Sequence, residues 1–198
     1  MTEKKLLPLA LFVLVSGCGI VGGVAPRIEL GERPYQKLTW DDFQLVESSS
    51  DGIGASTSIF FGWSYSFTPT PSGGGYSARL SSITIESGMD KEKSWRVRDL
   101  RGGGLDLLLV HEQLHFDINE IQARKLRGMR LEEWGTGFGP TPEAAGANLT
   151  AKVEAIAKAA LDEVQRLGEQ YDTETAHGTN VDAQRRWARE IDAQFDSS

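Results

Sequence analysis

Two histidines with a glutamate between them stand in the run His111-Glu112-Gln113-Leu114-His115. On a helix, imidazoles four residues apart share one face, so both can aim a ring nitrogen at a single ion about 2.0–2.1 Å away. Glu112 lies one residue round from His111, where its carboxylate can contact a metal-bound water without ligating the metal and so serve as general base. Nitrogen donors at this spacing favour zinc, which lowers the pKa of such a water toward neutrality. The competing reading is a helix that happens to carry two histidines. The chain has only three, and two of them stand in this pattern with the glutamate in place, which favours the metal.

A catalytic zinc ion takes three protein ligands and keeps one position for water. The third histidine, His177, is the first candidate for the remaining ligand. It lies in the stretch from Tyr171 and Asp172 to His177-Gly178, where the glycine permits a sharp turn that could aim an imidazole into a cleft. Asp172, Glu174 and Glu154 are its carboxylate rivals. Asp117 and Asp172 are also candidates to receive the far N–H of a metal-bound imidazole and fix its tautomer. Tyr171 is a candidate donor to the oxyanion of a tetrahedral intermediate, against the plainer reading of a tyrosine that ends an apolar helical stripe. Glu120 stands four residues before Arg124, a spacing that reads as a surface ion pair.

These side chains need elements to hold them. Leu107, Val110, Leu114, Ile118 and Ile121 recur at spacings of three and four, which predicts an amphipathic helix over 105–128 carrying both motif histidines. Before it, Ile59, Phe61, Trp63, Tyr65 and Phe67 alternate with mostly small or polar residues, the period of a half-buried strand. Residues 69–75 are expected to be a loop, and Leu80, Ile83 and Ile85 mark a second, antiparallel strand. A Gly-rich loop over 128–139 leads to Thr141-Pro142-Glu143, a cap, a Pro at the first helical position and an early acid that together open a helix. Leu149, Val153, Ile156, Ala160, Val164, Leu167 and Tyr171 trace its buried face. The pattern breaks over 172–179, and Asn180 caps a last helix that buries Trp187, Ile191 and Phe195.

The chain has 198 residues and a net charge of -7. No Lys/Arg stripe appears, which argues against a surface that tracks nucleic-acid phosphates. The N-terminus joins Lys4-Lys5 to an apolar run from Leu6 to Val15 and then small residues, the layout of an export signal too short to span a bilayer as a mature helix. Cys18 is the only cysteine, so no internal disulfide can form. Its setting resembles a bacterial lipobox, which implies a lipid-anchored first residue of the mature protein, facing the periplasm or the cell surface. The expected layout is a signal segment over 1–18, a Gly/Pro-rich tether over 19–36 and one domain over 37–198.

Three segments together resemble a known family: Leu38-Thr39-Trp40-Asp41-Asp42-Phe43, then His111 through Phe116-Asp117, and finally Tyr171-Asp172 to His177-Gly178 with Gln184 and Trp187. They are similar to the bacterial predicted secreted zinc-dependent proteases filed under domain of unknown function 922. That resemblance implies a zincin-like α+β fold in which an antiparallel sheet packs on the motif helix and further helices follow. It also implies a Zn2+ ion on His111 and His115 with His177 as their partner, Glu112 as base, and a peptidase activity, while the lipid-anchor reading adds protein or peptide substrates of the cell envelope. The Leu80–Glu86 strand is expected to pair with an extended substrate. Two other functions fit the same residues: a non-catalytic zinc-binding envelope lipoprotein, and an amidase acting on cell-wall peptides.

Overall fold

The computed structural model describes residues 2–5, 35–49, 54–98 and 104–196. Of the signal segment expected over 1–18 only Thr2–Lys5 is described, as a strand; the rest of that segment with Cys18, and nearly all of the tether, lie outside the described residues. The protein is a mixed α+β structure, with three α-helices and small sheets among the described residues. No helix among them is long and apolar enough to cross a membrane.

The chain forms two compact units. One takes in Phe61–Ser87 and Gln122–Val164 with the strand Thr2–Lys5, and the other the described residues from Tyr35 to Phe60, those of 88–121 and those from Gln165 on. Strands β1 (Thr2–Lys5), β4 (Ile59–Phe67) and β7 (Leu80–Met89) form a sheet in the order β1-β4-β7, in which β1 and β4 run antiparallel with Glu3 opposite Tyr65. Along β4 the odd positions are all buried, because a strand points alternate side chains to opposite faces. In the same unit lie the buried Trp134, Ala145, Leu149 and Val153. Each large apolar side chain taken fully from water contributes about 1.5–3 kcal/mol.

The stretch expected as a loop over 69–75 instead carries a hairpin. Strand β5 (Thr70–Ser72) and strand β6 (Gly75–Ala78) pair antiparallel across Gly73-Gly74. Both turn glycines have positive φ, 57° and 85°, the geometry whose twist matches a two-residue hairpin. The Gly-rich segment before the second helix is likewise partly ordered. A 3-10 turn over Leu131–Trp134 buries its tryptophan, and β9 (Gly137–Gly139) pairs antiparallel with β6. Short strands with few apolar residues leave no periodic signal, which is why these pieces read as loop.

In the other unit β2 (Gln44–Val46), β8 (Trp95–Val97) and β3 (Ala55–Ser56) form a small sheet in the order β2-β8-β3, parallel at the first pairing and antiparallel at the second. A 3-10 turn at Trp40–Asp42 precedes it, closed by Asp42 Oδ2 accepting from the Thr39 backbone N–H (2.8 Å) and hydroxyl (3.1 Å). This gives the Trp-Asp-Asp-Phe segment a packing role, with the Arg96 guanidinium 5.5 Å over the Trp40 ring.

Helix α1 (Leu105–Arg127) carries the motif. The spacing of its apolar residues predicts one buried face, yet every residue from His111 to Ala123 is buried, polar ones included. Glu120, expected on the surface, is among them. A helix buried all round must satisfy its polar side chains internally. Asn119 Nδ2 donates to the Phe60 carbonyl (3.1 Å), and Leu38 donates its backbone N–H to Gln113 Oε1 (2.6 Å).

Helix α2 (Pro142–Thr175) opens as its sequence predicts, with the Ala144 N–H donated to Thr141 Oγ1 at 3.2 Å. It runs further than the break expected over 172–179, so Asp172 stands on its last turn. Ala176, His177 and Gly178 then follow with positive φ of 47°, 52° and 82°. Two of these are non-glycine residues held in a region costly to ordinary side chains. Helix α3 (Val181–Asp196) is capped by Asn180 Oδ1, which accepts from the Ala183 N–H (3.2 Å), and it buries Trp187, Ile191 and Phe195.

Candidate metal centre

The site lies within the second of these units. One turn of α1 brings His111 Nε2 and His115 Nε2 to 3.2 Å from each other. From the last turn of α2, Asp172 Oδ1 stands 3.1 Å from the first and 2.9 Å from the second. Donor atoms held about 2.0–2.1 Å from one tetrahedral ion are themselves about 3.3 Å apart. The three observed separations come close to that edge, and the His111-His115-Asp172 cluster could hold a metal ion.

The surrounding polar atoms fit the same reading. Glu112 Oε1, Nδ1 of His111, His115 and His177, Tyr171 Oη and Gln184 Oε1 are all buried without a hydrogen-bond partner among the described residues. Buried polar atoms are ordinarily paired, so the bare Glu112 Oε1, one residue from His111, is an acceptor open to a water or ligand.

Electrostatics favour donors in the ligating state. Burial holds the His111 imidazole down at about 4, against the pull of Asp172, so the ring is neutral and keeps a lone pair near pH 7. Burial would raise Asp172, but the two imidazoles bonded to it outweigh that effect and hold its carboxyl well below the usual carboxylate range. Burial also pushes Glu112 up to about 7, with His115 and the Thr57 hydroxyl working in the opposite direction. A carboxyl poised near neutrality can take and return a proton at working pH.

Packing fixes these groups. The Tyr171 ring stacks on His111 at 4.7 Å between centroids and 22° between planes, meets His115 edge-on at 4.9 Å, and rests against Trp187 at 5.3 Å. On the side of Gly178 the approach is so close that a Cβ there would lie 3.1 Å from the His111 ring. Only glycine accepts both that contact and a φ of 82°. Gln184, on α3, donates to the Leu107 carbonyl at the start of α1 (2.8 Å).

The structure distributes the candidate residues as follows. His111, Glu112, His115 and Asp172 come together. His177 lies beside them rather than within the triangle: its Nδ1 is 3.6 Å from Asp172 Oδ1, and 43% of its side chain is exposed. The longer α2 is the reason, since it puts Asp172 on a helical turn aimed at the rings and leaves His177 in the left-handed exit. Asp117 accepts from Gln113 (2.7 Å) and Tyr35, tying the N-terminal edge of the unit to α1. Tyr171 is fully buried as a wall of the site, and burial keeps its hydroxyl well above the ordinary tyrosine value. Glu174 serves α3, accepting from Arg186 (2.7 Å) and Trp187 (2.9 Å). Glu154 belongs to the other unit, where Trp63 (3.3 Å) and Tyr65 (3.5 Å) donate to it.

Sequence reasoning missed Thr57, whose hydroxyl donates to Glu112 Oε2 at 2.5 Å across 55 residues of chain. Nor does the sequence identify Gly178 as the backing of His111, although it places a turn there. Comparison with family models, curated proteins and solved structures finds no match to this chain.

Proposed function

We propose that the chain is a zinc-dependent peptidase with a zincin-like HExxH site, acting in the cell envelope. The observation that carries this reading is the donor triangle of His111, His115 and Asp172 with Glu112, a buried carboxyl on the same turn of α1 as the two histidines, whose Oε1 has no partner among the described residues. The envelope location rests on the N-terminal sequence and on Cys18, and the zinc assignment on the nitrogen-rich donor set.

In this reading His111, His115 and Asp172 hold the ion. Bound zinc supplies a Lewis acid that polarises a substrate carbonyl and makes a water easier to deprotonate. Glu112 takes the proton from the attacking water and delivers it to the departing amine as the peptide bond breaks. Tyr171 and Gly178 clamp the His111 ring, so the donor keeps its direction while the site works. The envelope reading supplies exported proteins and wall peptides as substrates, met by an enzyme anchored through lipid at Cys18.

A second reading has one observation in its favour. His177 Nδ1, at 3.6 Å from Asp172 Oδ1, could move in as a fourth ligand and close the site, leaving a structural zinc centre without hydrolysis. Incubation with casein separates the two. The peptidase account predicts cleavage that a chelator stops and added zinc restores. It also predicts that Glu112→Gln keeps its zinc and loses at least about a hundredfold in rate. Zinc-loaded wild type that cleaves no faster than Glu112→Gln would support the closed structural site instead.

A further inference from the structure

We propose that Thr57 is the positioning residue for Glu112, pinning one carboxyl oxygen so that the other is kept free for the proton in transit. This rests on the reading of Glu112 as the base. The Thr57 hydroxyl donates to Oε2 at 2.5 Å. Oε1, equally buried, has no partner among the described residues. A glutamate kept only to satisfy a buried structural role would have both oxygens paired, because an unpaired buried acceptor costs about 1–3 kcal/mol. Here the Thr57 hydroxyl falls on Oε2 and leaves Oε1 without a partner among the described residues.

The backbone around Thr57 is built to hold that hydroxyl still. On one side Ser56 pairs with Trp95 in the β3–β8 ladder. On the other, Ser58 donates its N–H to Ser94 Oγ (2.9 Å) and accepts at its carbonyl from the Asp90 N–H (2.8 Å). Ser94 Oγ in turn donates to the Asp90 carbonyl (2.7 Å). Thr57 thus stands with Ser58 in the two-residue link between β3 and β4, fastened at both neighbours, with its side chain buried against α1. A β-branched side chain adds its own stiffness at χ1.

The test uses the full chain with Thr57→Val, which keeps the shape and deletes the donor, and Thr57→Ser, which keeps the donor. Thr57→Ala stands in should the valine variant fail to fold. Infrared difference spectra of each protein against its Glu112→Gln counterpart isolate the Glu112 carboxyl band without any need for metal or turnover. The expected result is a shifted band in Thr57→Val and a wild-type band in Thr57→Ser. With casein as substrate, kcat should fall about tenfold or more in Thr57→Val, with KM and zinc content unchanged, and return to within about twofold in Thr57→Ser. A carboxyl band that stays in place in Thr57→Val overturns the proposal, as does an unchanged kcat. A band that shifts in a protein whose wild type cleaves nothing upholds the Thr57 contact and sinks the peptidase reading alone.

Discussion

At the scale of single residues, the site depends on side chains held by contacts that the motif does not contain. Gly178 is the sharpest case. Its φ of 82° and the 3.1 Å that would separate an added Cβ from the His111 ring act together. Gly178→Ala is therefore expected to cost about 1–3 kcal/mol in stability and to displace His111. Urea unfolding of the metal-free protein reads the first effect, and weaker zinc binding the second. A variant with unchanged stability and affinity would mean that the turn relaxes freely. The sequence had already shown His111, Glu112 and His115 as a unit, since a helix converts their spacing into one face. It also offered Asp172 only as one carboxylate among several. What separated Asp172 from Glu174 and Glu154 was the true end of α2, which no local pattern marks, because tertiary packing carries the helix through residues of weak helical preference.

At the scale of elements, α1 differs most from its sequence. Apolar spacing alone predicts a helix with a solvent face, yet from His111 to Ala123 it has none. Its polar residues act as connectors: Gln113 accepts from Leu38 and donates to the Gln36 carbonyl (3.2 Å). Gln113→Leu should leave the Leu38 N–H buried and unpaired, costing about 1–3 kcal/mol and freeing residues 35–38. Amide hydrogen exchange would register faster exchange at Leu38, whereas unchanged protection there would show that another acceptor replaces Gln113. Helix α3 is held at its start, where Asn180 caps it, and by Glu174 receiving Arg186 and Trp187. Asn180→Ala is expected to lower stability by about 1 kcal/mol in chemical denaturation. Helices and the long strand β4 were legible because their periods run for many residues. The β5–β6 hairpin and β9 were not, since three or four residues cannot establish a period.

At the scale of the whole molecule, the chain carries a net charge of -7, and carboxylates set how it responds to acid. Asp42 illustrates the sign. Burial opposes its ionisation, but Lys91 at 2.5 Å and the bonds from Thr39 outweigh that and lower its pKa. A carboxylate depressed in the folded state stabilises the fold fully above its unfolded value of about 4. That stability is lost as pH falls through the folded value. Asp42→Asn should therefore be less stable than wild type at neutral pH, with the gap narrowing as pH drops below about 4. Denaturation midpoints across that range measure it, and a gap that stays constant would remove Asp42 from the acid response. Two expectations for the chain as a whole, an export signal ending in a lipid-anchored Cys18 and the zinc-protease resemblance, rest on sequence patterns alone.

The most direct measurement of the central claim is a calorimetric zinc titration of wild type, Asp172→Ala and His177→Ala under identical buffer. The account predicts one ion per wild-type chain, affinity lowered about a hundredfold or more in Asp172→Ala, and a far smaller change in His177→Ala. Wild-type affinity retained in Asp172→Ala would contradict the assignment of His111, His115 and Asp172 as the metal-holding triad.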